Sequence, residues 1–259
     1  MIDPVLAGTR VLICRPEPSA SELALVLRSV GAECEVLPSI AIKPLDLSPE
    51  ARQIVMNLDL YHQVIVVSQH AAELGLELID EFWPQFPTAQ NWYAIGRKTA
   101  EKLHAVGTRL IAPNEDLSSE DLLQLPELQA VRDQKILLLK GMGGRDTLRR
   151  ALVNRGAKMD ALSLYQRVCP DYGNELLSRK LSDFDPHYIV ALSGDTLSNL
   201  VTLANKVNID LSQRTFILSS KRVANIALEH GFKLTCVPEN LMPIDIIQCI
   251  AKHNREISS

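Results

Sequence analysis

The sequence repeats itself at a distance of about 125 residues, and this repeat limits the folds open to the chain. Residues 11–37 (VLICRPEPSASELALVLRSVGAECEVL) align without a gap on residues 136–162 (ILLLKGMGGRDTLRRALVNRGAKMDAL). Leu12 falls on Leu137, Leu23 on Leu148, Leu27 on Leu152, and Gly31-Ala32 on Gly156-Ala157. The same offset sets 64–74 (VIVVSQHAAEL) on 189–199 (IVALSGDTLSN), serine on serine, and Pro113 on Pro238. A nearly equal offset sets 93–103 (YAIGRKTAEKL) on 216–226 (FILSSKRVANI). A unit written twice, whose strands end in small or polar residues, implies two similar lobes facing one cleft.

Each copy alternates short apolar runs with amphipathic stretches. Residues 10–14 (RVLIC) read as a buried parallel strand. Ser19 or Ser21 opens a helix over 21–30, with Leu23, Val26, Leu27 and Val30 on one face, and Gly31 ends it. In the first copy, strands are expected at 33–37, 63–67, 92–95 and 109–111, and helices at 69–79, 97–106 and 118–125. The second copy predicts strands at 135–139, 158–162, 188–192, 215–218 and 233–237. Its helices are expected at 144–155, 173–182, 194–206, 220–230 and 243–253. Strand–helix alternation of this kind predicts an α/β fold with parallel sheets covered on both faces.

Two domain cuts satisfy the repeat. Each copy forms one domain, split near residue 126, or the first βαβ of each copy pairs with the remainder of the other. Residues 38–44 (PSIAIKP) and 163–170 (SLYQRVCP) stand in equivalent places, are extended and alternating, and end in proline. As paired linkers they favour the crossed arrangement.

Composition excludes several classes. No apolar run reaches the ~18 residues of a membrane span. The opening MIDPVLAGTR carries Asp3 and has no apolar core, so no signal peptide is expected. The five cysteines, at 14, 34, 169, 236 and 249, are scattered and form no C-x-x-C pair, so reduced thiols in a cytosolic protein are expected. A formal charge of −4 without a long basic run argues against nucleic-acid binding.

In open α/β sheets ligands bind beyond the carboxyl ends of the strands. Six strand ends carry Arg15-Pro16, Ser68-Gln69, Gly96 to Thr99, Lys140 to Arg145, Ser193 to Thr196 and Ser219 to Arg222. They hold seven Lys/Arg, and each precedes a helix whose first amides attract anions. N-capping alone accounts for any one serine or threonine there. Together the six predict a polyanionic ligand bound between the lobes. The glycine-rich loop 141–147 (GMGGRDT) lacks the G-K-[ST] ending of a P-loop, which favours backbone amides offered to carboxylates over a nucleotide site. The histidines, at 62, 70, 104, 187, 230 and 253, show no metal spacing, and no nucleophile elbow occurs. Tyr165, in LSLYQRV with Arg167 beside it, is the one aromatic hydroxyl of the expected hinge. Packing is the common role of such a residue. A phenol is also protonated at neutral pH and is able to act as an acid.

Several of these motifs occur in order in one known family. They are R-P-x-x-x-A at Arg15 to Ala20, Ser68, A-I-G-x-x-T-A at Ala94 to Ala100, and L-L-K-G-x-G-G-R at Leu138 to Arg145. Gly156-Ala157, Y-x-R at Tyr165 to Arg167, Ser193 and Ser219-Ser220 follow. Over residues 10–250 the chain resembles bacterial uroporphyrinogen-III synthases. The resemblance implies two three-layer α/β lobes with parallel sheets, joined by a two-stranded linker, one lobe being discontinuous. That sets residues 1–37 with 170–259 in one lobe, 44–163 in the other, and 38–43 with 164–169 as linkers. It further implies cyclisation of hydroxymethylbilane, a linear tetrapyrrole with eight carboxylates, with inversion of ring D and loss of water. No metal, hydride or covalent adduct is required, so no cofactor is expected. Tyr165 matches the family's linker tyrosine and is expected to be the acid. Arg15, Ser68, Gly96, Thr99, Lys140, Gly141, Gly143, Arg145, Ser193, Gly194, Ser219 and Ser220 are expected to bind substrate, Thr99 and Ser193 at positions the family uses. Gln69-His70 and Arg97-Lys98 fill places that vary in the family. A cytoplasmic monomer with no nucleic-acid or membrane partner is expected, with a transient contact to hydroxymethylbilane synthase.

The competing class is a two-lobed binding module or sensor for an anionic small molecule. A periplasmic binding protein would need an export signal. A nucleotide-sugar glycosyltransferase is usually longer and needs a base that the sequence does not supply.

Overall fold

The computed structural model describes residues 5–111, 116–144 and 146–258. Pro113 and Arg145, named above, lie outside the described residues. In chain order the elements begin β1 (Arg10–Ile13), α1 (Ser19–Ser29), β2 (Glu33–Val36), β3 (Ala41–Pro44), α2 (Pro49–Met56), β4 (Gln63–Val66) and α3 (Gln69–Phe82). Then come β5 (Asn91–Ala94), α4 (Arg97–Ala105), α5 (Ser119–Leu122), β6 (Lys135–Gly141), α6 (Thr147–Asn154), β7 (Lys158–Val168) and α7 (Asn174–Ser178). The chain closes with β8 (Tyr188–Val190), α8 (Gly194–Lys206), β9 (Thr215–Ile217), α9 (Lys221–Glu229), β10 (Thr235–Cys236) and α10 (Pro243–Ser258).

Two compact units result: residues 1–41 with 168–259, and residues 42–167. The first holds a sheet ordered β10-β9-β8-β1-β2, the second a sheet ordered β3-β7-β6-β4-β5. Every pairing among β1, β2, β8, β9 and β10, and among β4, β5, β6 and β7, is parallel. Four strands of each sheet match once the repeat is laid on them, and the fifth strands, β10 in one and β3 in the other, are added at opposite edges. β6 and β7 stand where β1 and β2 stand, and β4 and β5 where β8 and β9 stand.

Alternation along each strand builds a core on both faces of each sheet. In the unit of 42–167, Val64, Val66, Leu137 and Leu139 face one cluster, which includes Trp92, Leu103 and Tyr165. Ile65, Ile136, Leu138 and Tyr93 face the other, against Leu148 and Leu152 of α6. In the other unit, Val11, Ile13, Val190 and Ile217 pack against α1 and α10, while Leu12, Ile189 and Phe216 meet Leu197, Leu200 and Val223. Gly31 and Gly156, equivalent in the repeat, take φ of 96° and 88°, a left-handed turn that a side chain would strain.

The structure corrects several expectations. Residues 109–111 form no strand; Leu110 makes only an isolated parallel bridge to Trp92. The helix expected over 118–125 is one turn, α5, opened by a Ser118–Asp121 capping box and followed by a 3₁₀ turn at Pro126–Leu128. The helix over 173–182 is α7 followed by a π-helical turn at Arg179–Asp183, and the strand at 233–237 shrinks to β10. β7 runs on through Val168, because the alternating segment after Leu162 continues to pair, and β3 is its neighbour in the sheet. Helix α2 has no counterpart among the expected elements. Its signal is present all the same: Ser48 accepts from the Ala51 amide, and Pro49 sits in the first turn where its missing N–H costs nothing.

The cysteines also need correcting. Cys236 on β10 and Cys249 on α10 are joined as a disulfide, with Cα atoms 6.7 Å apart, within bridging range. Cys14, Cys34 and Cys169 are free. Spacing in the sequence could not reveal this pair, because it depends on α10 packing back against the edge strand β10.

Candidate functional site

In the unit of 42–167 the register of the parallel sheet brings several expected residues to one edge. Val66 pairs with Leu139 and with Ala94, and Gly141 pairs with Tyr165 across a bulge after Lys140. The residues just beyond these pairs, Ser68, Gly96 and Gly143, therefore emerge together at the carboxyl ends. A cavity of 210 Å³ lies there, lined among others by Ser68, Lys140, Gly141, Gly143, Tyr165 and Arg167.

Tyr165 is 3% exposed, and its hydroxyl lies 2.9 Å from Ser68 Oγ. A buried phenol needs such a partner. The ring rests on the backbone of Gly141: a Cβ placed there would come within 2.6 Å of Tyr165 Cζ and 3.0 Å of its hydroxyl oxygen. Only glycine permits that approach. The Met142 amide donates to the Tyr165 carbonyl at 2.7 Å, fixing the strand end beneath the ring. The His70 ring meets Tyr165 edge-on, with centroids 5.8 Å apart. His70 Nδ1 lies 3.6 Å from Glu73, which pairs with Lys102 at 2.7 Å. Lys102 beside it holds the Glu73 carboxyl below the usual carboxylate range.

Ser68 is the N-cap of α3 and accepts from the Ala71 amide at 3.1 Å. Lys140, Gly141 and Gly143 reach the cavity from the end of β6 and the loop after it, where Gly143 and Gly144 take φ of 73° and 86°. Arg145, the basic residue expected in this loop, lies outside the described residues. Gly96 and buried Thr99 line a separate depression with Gln69, Arg97, Lys98 and Asp116. There the Asp116 carboxylate already accepts from the Arg97 amide at 2.8 Å. The start of α4 is thus capped by the protein's own anion.

The sequence reading missed Ser119, Glu120 and Thr147, which also line the cavity. Ser118, which opens the capping box of α5, was the available signal for the first two. Glu120 places a carboxylate among groups suited to anions.

The remaining expected residues lie on the other sheet. Ile13 pairs with Val190, and Val190 with Ile217, so Arg15, Ser193, Gly194, Ser219 and Ser220 share the carboxyl edge of β1, β8 and β9. Ser193 and Ser220 are the N-caps of α8 and α9, accepting from the Thr196 and Val223 amides. Ser193 Oγ also lies 2.8 Å from Thr196 Oγ1. Burial pushes the pKa of the half-buried Arg15 guanidinium down, opposed by Glu22.

Covalent thiol chemistry has no support in the titration of two of the free cysteines. Burial pushes the Cys34 thiol up to about 11 and the fully buried Cys14 thiol well above its usual range. Among the described residues no group of three or more His, Cys, Asp or Glu side chains is placed to hold a metal ion. No helix of the described residues is long and apolar enough to cross a membrane.

The profile described as "Uroporphyrinogen-III synthase HemD" matches residues 21–248. The uroporphyrinogen-III synthase of Escherichia coli (strain K12) is 31% identical over 236 residues, covering 89% of this chain and 95% of its own. Among solved structures, uroporphyrinogen-III synthetase from Helicobacter pylori 26695 superposes with a TM-score of 0.59 at 13% identity, over 95% of this chain and 99% of that one. A mutant uroporphyrinogen III synthase from the extremely thermophilic bacterium Thermus thermophilus gives a TM-score of 0.58 at 17% identity, over 96% and 100%. The two structures speak to the fold, while the profile and the E. coli sequence reach nearly end to end. The chain belongs to the uroporphyrinogen-III synthase family.

Proposed function

We propose that this chain closes hydroxymethylbilane to uroporphyrinogen III, with Tyr165 as the acid that releases the terminal hydroxyl. Family membership supports the reaction. The observation that supports the acid is the buried phenol of Tyr165, held between Ser68 and Gly141 at the wall of a glycine-rich cavity.

The chemistry asks little of the protein. The pyrrole nitrogen pushes its electron pair toward the hydroxymethyl carbon, the C–O bond breaks, and its electrons leave with the oxygen. Tyr165 supplies the proton that makes this oxygen water. The azafulvenium cation left behind is attacked by the substituted carbon of ring D. The resulting spiro intermediate fragments and recloses with that ring inverted, and the last proton lost returns to the phenolate. The remaining task is positioning, since the substrate must be folded so that this path outruns direct closure to the type I isomer. Lys140 and the amides of Gly141 and Gly143 suit the substrate's carboxylates. Gly96, Thr99 and Arg145 from the same part of the chain, and Arg15, Ser193, Gly194, Ser219 and Ser220 from the other sheet, are proposed as further contacts.

No cofactor enters this scheme, so exhaustive chelation and dialysis should leave type III formation unchanged. The same reading has the enzyme working in the cytoplasm as a monomer. Because free hydroxymethylbilane closes to type I, transient contact with hydroxymethylbilane synthase would shorten its exposure. The test is to supply enzymically made hydroxymethylbilane and resolve type I from type III porphyrin after oxidation. Type III should predominate; type I alone would overturn the reading. Tyr165→Phe should lower turnover about 10- to 100-fold, the worth of one proton donor, with product affinity little changed.

A further inference from the structure

The contact between Tyr165 and Ser68 assigns Ser68 a role other than anchoring substrate. A serine hydroxyl has one hydrogen to give and two places to accept. The Ala71 amide occupies one accepting place of Ser68. Its remaining bond, 2.9 Å long, is to the Tyr165 hydroxyl, and either oxygen is able to donate. The direction matters to an acid. If the phenol donates to Ser68, its hydrogen is turned away from a leaving group. If Ser68 donates, the phenol's own hydrogen is free, and the oxygen is stabilised as it becomes phenolate. Two features favour the second direction while charge develops. The phenolic oxygen adjoins the N-terminus of α3, a helix of 14 residues whose partial positive end favours an anion. The ring also packs directly on Gly141, which holds the phenol in place beside Ser68.

We propose that Ser68 is the positioning residue for Tyr165, donating its hydroxyl hydrogen to the phenolic oxygen while the phenol gives its proton to the leaving hydroxyl. This rests on Tyr165 being the acid. Ser68 loses no proton in the step: its O–H bond stays intact and its hydrogen bond shortens on the phenolate. The same helix cap in the other unit, Ser193, has Thr196 Oγ1 in the place of a phenol, so capping alone does not require this contact.

Ser68→Asp tests the assignment while keeping a helix cap. Aspartate still accepts from the Ala71 amide, but an ionised carboxylate has no hydrogen to donate and holds the phenol's proton instead. Ser68→Thr keeps both the cap and the donor. The measurements are type III turnover, KM and product affinity for the wild type, both Ser68 variants, Tyr165→Phe and the Ser68→Asp/Tyr165→Phe double variant, with denaturant midpoints as the folding control. Ser68→Asp should lower kcat about 10-fold or more, the worth of a hydrogen bond to a charged oxygen, while its added charge raises KM by repelling the substrate's carboxylates. Ser68→Thr should restore most of kcat, and in the Tyr165→Phe background Ser68→Asp should cost no further turnover. An intact kcat in Ser68→Asp, whatever its KM, would overturn the proposal. Additive losses in the double variant would overturn it as well. If Tyr165→Phe turns over like the wild type, the acid assignment itself is wrong, and a wild type that yields only type I would remove the reaction. The three failures are therefore distinguishable.

Discussion

The two units repeat one scaffold and differ at the end of the same strand. Ser68 and Ser193 stand at the repeat offset, follow equivalent strands and cap the equivalent helices α3 and α8. Around them the copies diverge. Lys140-Gly141 in one corresponds to Arg15-Pro16 in the other, and Tyr165 to Ile40. The third residue of the helix is Ala71 in one copy and Thr196 in the other, so Ser193 meets a threonine hydroxyl where Ser68 meets a phenol. Buried Ser39, one residue before Ile40, donates instead to the Thr196 carbonyl at 2.7 Å. The duplication thus explains the sheet and its caps, while a few substitutions explain why a phenol-lined, glycine-rich cavity is found in the unit of 42–167. Chemistry and scaffold separate at the level of single residues on a shared frame.

The largest expected effect lies in how the two units fold when separated. The sheet of β3-β7-β6-β4-β5 is contained in one continuous stretch, whereas the other sheet needs both ends of the chain. A fragment of residues 40–168 should be monodisperse and unfold cooperatively in denaturant. A fragment of residues 1–126 carries β1 without β8 and β4 without β6, leaving apolar faces bare, and should aggregate. A cooperative 1–126 beside an aggregated 40–168 would make the sequence copy, and not the crossed unit, the folding domain.

Next in size is Gly141→Ala. Its Cβ would sit 2.6 Å from the Tyr165 ring, so the phenol must shift. A displacement of that order should cost turnover about 100-fold, assayed as type III formation. Because Pro16 and Ile40 hold the equivalent positions in the repeat, an unaffected Gly141→Ala would show that the two strand ends are more alike than the phenol contact suggests.

The smallest effect is expected at Ser193→Ala. Loss of the α8 cap should lower stability by about 1 kcal/mol, read from the denaturant midpoint. Any kinetic change should appear in KM, since Ser193 is a proposed carboxylate contact and touches no acid. A fall in kcat matching that of Ser68→Asp would break the distinction between the two caps.

Much of the fold could be read in the sequence, because helices and strands are set by local periodicity and the repeat carries that periodicity twice. The helix expected over 194–206 has those bounds, with Ser193 capping it and an apolar stripe behind. Segments whose character depends on neighbours were harder to place. Residues 109–111 have strand-like composition but find only Leu110 paired, and β7 continues past Leu162 because β6 and β3 lie alongside it. In the site, the sequence pointed to Tyr165 and to Lys140, Gly141 and Gly143, since unusual residue types stand out at strand ends. It did not point to Glu120, which reaches the cavity from a one-turn helix, or to His70, whose place in the chain looks unremarkable.

By itself, then, the sequence determined the alternation of strand and helix, the duplication, the caps at Ser68, Ser193 and Ser220, and the family. Each of these is written in residues close together in the chain or in a pattern read twice along it. Tertiary structure alone decided that Tyr165 lies on Gly141 and reaches Ser68, that Asp116 fills the start of α4, and that Cys236 joins Cys249. These contacts depend on strand register and helix packing to within about an ångström, and no local pattern carries that information, because the same residue types at the same spacing are compatible with many registers.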